Sequence, residues 1–232
     1  TIAVGSSRTV VLSTEFHVET ADSKKLYKQS YLNGMTEIKA PKITTSDKHY
    51  TKITFKPDYK YFGLEHLDDD HILRMTKRIV DAAACNPKIK FSVNGDRIMT
   101  KNFDDYIEMY LDDGEDFVFD DAPNWKVGVS KSSDGFDQVS FVNSVETYQG
   151  GEHVKYAINQ IVDELRVFIK KKHKVEVSPA DIRNHIRIYI SCDINRPRFS
   201  SQTKENMISL PSEWKTSWSV TDKFIAKLVK TE

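Results

Sequence analysis

The residues of this chain with the clearest chemistry are Gln202-Thr203-Lys204-Glu205-Asn206, a run with no apolar pattern and one cation. The run follows a segment in which Ile186, Ile188, Ile190, Cys192 and Ile194 alternate with Arg187, Tyr189, Ser191 and Asp193. A period of two is the signature of a strand, and Asn195-Arg196-Pro197 breaks it. A strand that delivers a lysine to a polar loop can hold a cation against a phosphate. Taken alone, the same lysine reads rather as an ordinary solvated charge. A second feature is Gly150-Gly151, which allows a tight turn and leaves the first amides of a following helix open. A third is the basic set Lys170, Lys171, Lys172, Lys174, Arg183, Arg187, Arg196 and Arg198, which is either a polyanion surface or a solvated rim. Two acidic runs, Asp68-Asp69-Asp70 and the six acids of Asp112–Asp121, raise the question of a divalent cation. Successive helical residues diverge around the axis, so the first run reads as helix capping. The second reads as a solvated loop. His153 reads as a neutral histidine in the first helical turn that donates to a nearby carbonyl, or as a catalytic one.

The elements that must position these groups are legible from periodicity. Val154, Ala157, Ile158, Ile161, Val162, Leu165, Phe168 and Ile169 recur at helical spacing and predict one long amphipathic helix. It ends in Lys170-Lys171-Lys172-His173-Lys174, basic residues at the negative end of the helix dipole. Strands are expected at 15–20, 26–32 and 49–55, with a loop over 36–48 and a junction over 56–67. A helix after Asp70 should bury Ile72, Met75, Ile79, Ala82 and Ala83, and Asn86-Pro87 should end it. Asn94-Gly95 predicts a hairpin, and Phe103, Tyr106, Ile107 and Tyr110 predict the buried face of a short helix. Residues 125–129 and 139–142 read as paired strands, 210–217 as a loop, and Phe224, Ile225, Leu228 and Val229 as the apolar face of a last helix.

Bulk composition narrows the class. The chain has 34 basic and 34 acidic residues, so polyanion binding must come from a local surface. With 39% hydrophobic and 11% aromatic residues it is a folded globular sequence. Two cysteines, Cys85 and Cys192, fit buried free thiols in a reducing compartment. No apolar run approaches membrane-span length, and the N-terminus does not read as a signal peptide. No Cys/His cluster has metal-ligand spacing, and no nucleophile elbow is present.

Several stretches together resemble type II DNA topoisomerases, closer to the eukaryotic and T-even-phage branch than to gyrase. They are Phe16-His-Val-Glu-Thr-Ala21, the segment from Tyr50 to Asp58, Ser140-Phe-Val-Asn-Ser144, Gly150-Gly151-x-His153-Val154 and Gln202-Thr-Lys-Glu-Asn206. The resemblance implies an α+β fold. A remnant of a GHKL-type ATPase sheet (1–57) would precede a transducer (58–232) similar to ribosomal protein S5 domain 2, a four-stranded sheet with helices on one face. It implies part of an N-terminal, ATP-operated gate. The cofactors would be ATP and Mg²⁺ in the complete enzyme. The partners would be duplex DNA, a second copy in a homodimer, and a DNA-cleavage domain or subunit, with no membrane. The site of action would be intracellular: an infected bacterium for a phage enzyme, the nucleus for a eukaryotic one. Lys204, with Gln202 and Thr203 beside it, would meet the ATP γ-phosphate. Val4-Gly5-Ser6-Ser7 resembles the end of the family's phosphate loop, although Ile2 and Ala3 depart from its pattern; Gly5, Ser6 and Ser7 would then touch phosphate. The other reading of Ser6 or Ser7 is a helix N-cap. Lys170, Lys171, Lys172, Lys174 and Arg187 would be the DNA-facing set. No catalytic residue and no metal ligand is assigned. The general-base glutamate and the nucleotide-binding asparagine of the family would lie upstream, so this chain alone should not hydrolyse ATP. Two alternatives stay open: an S5-like binding module without ATPase role, and an Hsp90- or MutL-like gate. The glycine pair and the Gln202–Asn206 run disfavour both.

Overall fold

The computed structural model describes residues 4–230, with side chains from Arg8 onward; Ile2 and Ala3 of the compared phosphate loop lie outside the described residues. The chain divides into two compact units, Thr1–Ile72 and Leu73–Glu232.

The first unit opens with helix α1 (Val4–Val11), followed by β1 (Ser13–Asp22), β2 (Lys25–Leu32), β3 (Glu37–Ile38), β4 (Lys42–Thr45) and β5 (His49–Pro57). The strands form one antiparallel sheet in the order β3-β2-β1-β5, with β4 also on β2. Asp22 makes the β1–β2 turn, its carboxylate accepting from the amides of Lys24 at 3.0 Å and Lys25 at 2.8 Å. Val10, Phe16 and Val18 form the small core, with Tyr31 against it. The loop expected over 36–48 is corrected: β3 and β4 lie there, sharing the outer edge of β2. Their apolar residues Ile38 and Ile43 stay exposed, so no buried alternation announces them.

The second unit holds the larger core. Helix α2 (Asp69–Cys85) crosses the division. Asp68 caps it, accepting from the His71 amide at 2.9 Å. The predicted stripe is rotated, because Ile72 and Met75 are exposed whereas Asp81, Ala83 and Ala84 are buried. Asp81 can turn inward because Tyr106 donates to it at 2.7 Å and the Lys77 ammonium lies 3.0 Å away. The hairpin β6 (Ser92–Val93) and β7 (Asp96–Arg97) turns on Asn94-Gly95, and α3 (Phe103–Glu108) buries Phe103, Tyr106 and Ile107.

The main sheet contains β8 (Phe117–Ala122), β9 (Trp125–Lys131), β10 (Asp137–Val142), β11 (Val145–Glu146) and β12 (Ile186–Cys192), in the order β11-β10-β12-β9-β8. Helices α4 (Glu152–His173) and α5 (Pro179–Arg183) connect β11 to β12, and α6 (Asp222–Leu228) follows a short 3-10 turn at Pro211–Glu213. Three expectations change here. Residues 117–122 form a strand although acids flank their apolar residues. The strands β9 and β10 are not paired: the crossover through α4 returns β12 between them, parallel to β10 and antiparallel to β9. Helices cover both faces. On one, α4, α5 and α6 pack on Val127, Val129, Ile186, Ile188 and Ile190. On the other, α3 and the end of α2 pack on Phe141 and Tyr189. Tyr189, which alternates with the apolar residues of its strand, is therefore fully buried on this second face.

His153 lies under the first turn of α4 with no exposed surface. Its Nε2 sits 3.1 Å from the Thr147 hydroxyl, which donates to the Ser140 carbonyl at 3.0 Å, so the imidazole is the donor of the pair. Nδ1 is buried without a partner. Burial pushes the His153 pKa down to about 3. The unfolded value is about 6.5, so between these pH values the unfolded chain binds the extra proton. This contribution to stability is complete above the unfolded pKa and is lost as pH falls toward the folded one. Denaturant unfolding should show His153 removing about 2 kcal/mol between pH 7 and pH 5. His153→Gln should flatten that part of the profile, and an equal slope in both proteins would show that the imidazole is not held neutral.

Candidate functional site

The run that contains Lys204 is a hairpin built on the start of α4. Beyond β12, Asn143 fixes the departing chain: its amide oxygen accepts from the Ile194 amide at 2.8 Å and its Nδ2 donates to the Ile194 carbonyl at 2.9 Å. The hairpin closes where Phe199 and Met207 form an antiparallel bridge and the Ser200 amide donates to the Asn206 carbonyl at 3.0 Å. Met207 is fully buried. Its amide donates to the Gly150 carbonyl at 3.1 Å, and its carbonyl accepts from the Glu152 amide at 2.9 Å. The open amide expected after the glycine pair is thus satisfied by Met207. Gly151 has φ +139°, and a Cβ there would stand 2.2 Å from the Met207 oxygen and 2.7 Å from its nitrogen. Only glycine permits this approach.

A second set of contacts holds the far side of the hairpin. The Gln149 amide donates to the Glu205 carbonyl at 3.0 Å, and its side-chain nitrogen to the Glu205 carboxylate at 3.0 Å. Hydrogen bonds from Tyr148 and then Thr203 hold the Glu205 carboxyl below its ordinary range. Sequence reasoning did not single out Tyr148, Gln149 or Asn143 individually; the signal was their place inside and between the two motifs flanking the turn.

At the tip, Gln202, Thr203 and Lys204 are all exposed. Thr203 shares a hydrogen bond with Ser201 at 2.7 Å, and the Lys204 amide donates to the Ser201 carbonyl at 3.2 Å. Lys204 has φ +62°, the left-handed conformation. Its ammonium lies 5.8 Å from the centre of the Phe199 ring and has no carboxylate partner among the described residues. The loop therefore offers an uncompensated cation beside an amide and a hydroxyl, on a backbone fixed at its base. That set suits an anionic oxygen.

Gly5, Ser6 and Ser7 lie in the first turns of α1, in the other unit. That helix already runs from Val4, so the N-cap reading of Ser6 or Ser7 is corrected: both are inside the helix. Lys170, Lys171, Lys172 and Lys174 are exposed together at the end of α4. Lys170 pairs with Glu176 at 2.6 Å, Lys172 lies 5.4 Å from the Phe168 ring, and Lys174 takes the left-handed cap position. Arg187 stands apart from this helix end. It is only 25% exposed, with Nε 2.9 Å from Asp137 and a donor bond to the Tyr110 carbonyl at 3.2 Å. Among the described residues no three His, Cys, Asp or Glu side chains gather as a metal site.

Known proteins resemble this chain in sequence and fold. The family described as DNA gyrase B matches residues 94–232. A probable DNA topoisomerase 2 from Dictyostelium discoideum is 38% identical over 98% of this chain and 16% of its own length. DNA topoisomerase 2 from Penicillium chrysogenum is 40% identical over 96% of this chain and 15% of its own. The chain thus spans about one-sixth of the length of these relatives. The crystal structure of the ATPase region of Saccharomyces cerevisiae topoisomerase II matches with a TM-score of 0.91 and 35% identity, covering 98% of this chain and 61% of that one. The crystal structure of the ATPase and transducer domains of DNA topoisomerase II from Balamuthia mandrillaris matches with a TM-score of 0.90 and 35% identity, covering 97% and 60%. On these matches, the chain belongs to the DNA gyrase B family, among the type II DNA topoisomerases.

Proposed function

We propose that this chain is part of the N-terminal, ATP-operated gate of a type II DNA topoisomerase and couples ATP binding and hydrolysis to the passage of one duplex through another. The observation that carries the reading is an exposed lysine without a carboxylate partner, at the tip of a loop whose base is fixed by buried backbone hydrogen bonds. Residues 1–57 would be the end of the ATPase domain and residues 58–232 the transducer. In the complete enzyme the site would take ATP with Mg²⁺. The nucleotide would supply the phosphoryl group.

Lys204 meets the terminal phosphate as a point charge, with Gln202 and Thr203 beside it, and loss of that phosphate releases the ammonium while the base of the loop stays anchored. Cationic groups placed where charge develops act mainly on the rate of phosphoryl transfer. The left-handed backbone at Lys204 keeps its amide in the turn and leaves the ammonium free. Gly5, Ser6 and Ser7 would touch phosphate, as the resemblance of Val4–Ser7 to a phosphate loop implies. Two copies of the gate would close around DNA, a hinge-type switch, and the enzyme would act inside the cell, where duplex DNA is. The cleavage domain or subunit completes the reaction.

Two outcomes are expected. In the complete enzyme, Lys204→Ala should lower ATP turnover roughly 100-fold, the order seen when one preorganised stabilising donor is lost. Melting should move by no more than about 0.5 kcal/mol in stability, because the side chain is exposed. Lys204→Arg should restore only part of the rate, since a planar fork does not replace a point charge. Wild-type turnover in Lys204→Ala would remove the nucleotide-sensing role.

The second outcome concerns DNA. Lys170, Lys171, Lys172 and Lys174 form the local basic surface on a chain of zero net charge. Binding to duplex DNA should therefore be weak, indifferent to sequence and lost at moderate salt. Changing Lys171, Lys172 and Lys174 to alanine should reduce the slope of log affinity against log salt by about 0.9 for each phosphate contact removed. An unchanged slope would place the contact elsewhere.

A further inference from the structure

The short strand β11 is held from two sides by elements far apart in sequence. From one side, α2 grips it. The Lys77 ammonium donates to Glu146 at 2.8 Å while also lying 3.2 and 3.0 Å from the two oxygens of Asp81. Arg78 donates to the other Glu146 oxygen at 3.2 Å. The buried Asp81 is fixed in turn by the Tyr106 hydroxyl at 2.7 Å, and that hydroxyl by Tyr110 at 2.7 Å. One turn beyond Asp81, Asn86 donates to the Ser144 hydroxyl at 3.1 Å, a second hold on the same hairpin.

From the other side, the residues just after Glu146 hold the lysine loop. Tyr148 and Gln149 both bond Glu205, the neighbour of Lys204. Between the two grips lies Thr147, fully buried and locked by Ser140 and His153. The segment from Glu146 to Gln149 is therefore a short stiff strap. Its ends are charged or polar contacts, and its middle cannot yield without exposing buried hydrogen-bonding groups.

We propose that Glu146 is a positioning residue: through its ion pairs with Lys77 and Arg78 it ties α2 to the loop that presents Lys204. This rests on the reading of Lys204 as the nucleotide-sensing cation. The direction of effect follows from the contacts. A shift of α2 pulls on Glu146, the strap moves Gln149 and Tyr148, and these move Glu205 with Lys204. Conversely, an anion that fixes Lys204 stiffens the hold on α2. Partly buried ion pairs in a connected network couple more strongly than isolated exposed ones.

A protease binds several residues on both sides of the bond it cuts, so trypsin cleaves after Lys204 only when Glu205 and Asn206 leave their hydrogen bonds; the rate of that cut, identified by fragment mass, reads the hold on this side of the tip. Glu146→Ala should accelerate it about fivefold and Glu146→Gln by less, as expected for neighbours in one network. The melting midpoint should fall by at most about 4 °C. Glu37→Ala, which removes a surface ion pair with Lys39 in the first unit, should leave the cut unchanged. In the complete enzyme Glu146→Ala should lower ATP turnover several-fold, and adding it to Lys204→Ala should cause no further loss. An unchanged rate of cleavage after Lys204, or a turnover loss that multiplies with that of Lys204→Ala, overturns the proposal. So does acceleration that appears only with a collapse in melting. If cleavage responds to Glu146 but Lys204→Ala turns over ATP normally, the mechanical tie stands and the nucleotide-sensing reading is what fails.

Discussion

The exchange of backbone hydrogen bonds between Met207 and the Gly150–Glu152 turn is the contact on which the rest of the second unit's functional geometry depends. It places the base of the Lys204 hairpin at the positive end of a 22-residue helix and fills the amide of Glu152 with a protein carbonyl. The contact requires glycine at position 151, because any Cβ would occupy the space of the Met207 carbonyl. It also requires the buried layer beneath. His153, Thr147 and Ser140 form a polar group inside an otherwise apolar core, satisfied apart from His153 Nδ1. Such a group specifies one arrangement of the turn more sharply than apolar packing would.

Above this base the hairpin separates two demands. Its lower half, Phe199, Asn206 and Met207, is paired and partly or fully buried. Its tip is exposed, and its side chains Gln202 and Lys204 make no hydrogen bond or ion pair among the described residues. A charged side chain on a fixed backbone loses little further freedom when it meets an anion. That is the physical sense in which the fold prepares this lysine, and it agrees with membership of a family whose solved members include ATPase regions.

Much of this was legible in the sequence, for identifiable reasons. The stripe Val154–Leu165 has one clear periodicity and one buried face, so α4 follows from it. Gly150-Gly151 marks a special turn, but only the coordinates show Met207 as its occupant, because no local pattern links residues 56 positions apart. Strand pairing failed for the same reason: β9 and β10 adjoin in sequence, and the long-range return of β12 displaces them. The stripe of α2 failed where a buried charge overrode hydrophobic spacing, since Asp81 has Tyr106 and Lys77 to receive it. Strands β3 and β4 carry no buried alternation at all and exist through pairing to the edge of β2. No local pattern announces the role of Glu146, because its two partners, Lys77 and Arg78, lie 69 and 68 positions away on α2.

The central claim is that the loop's base is fixed before any ligand arrives and only its tip is free. Amide hydrogen exchange in the unliganded chain tests this directly. The amides of Glu152, Gln149 and Met207 should exchange only through opening of the second unit as a whole, at least about 1000-fold more slowly than those of Gln202 and Thr203. Exchange of Met207 and Glu152 at the rate of the tip would show that the hairpin is not anchored on α4, and the account would fail at its first contact.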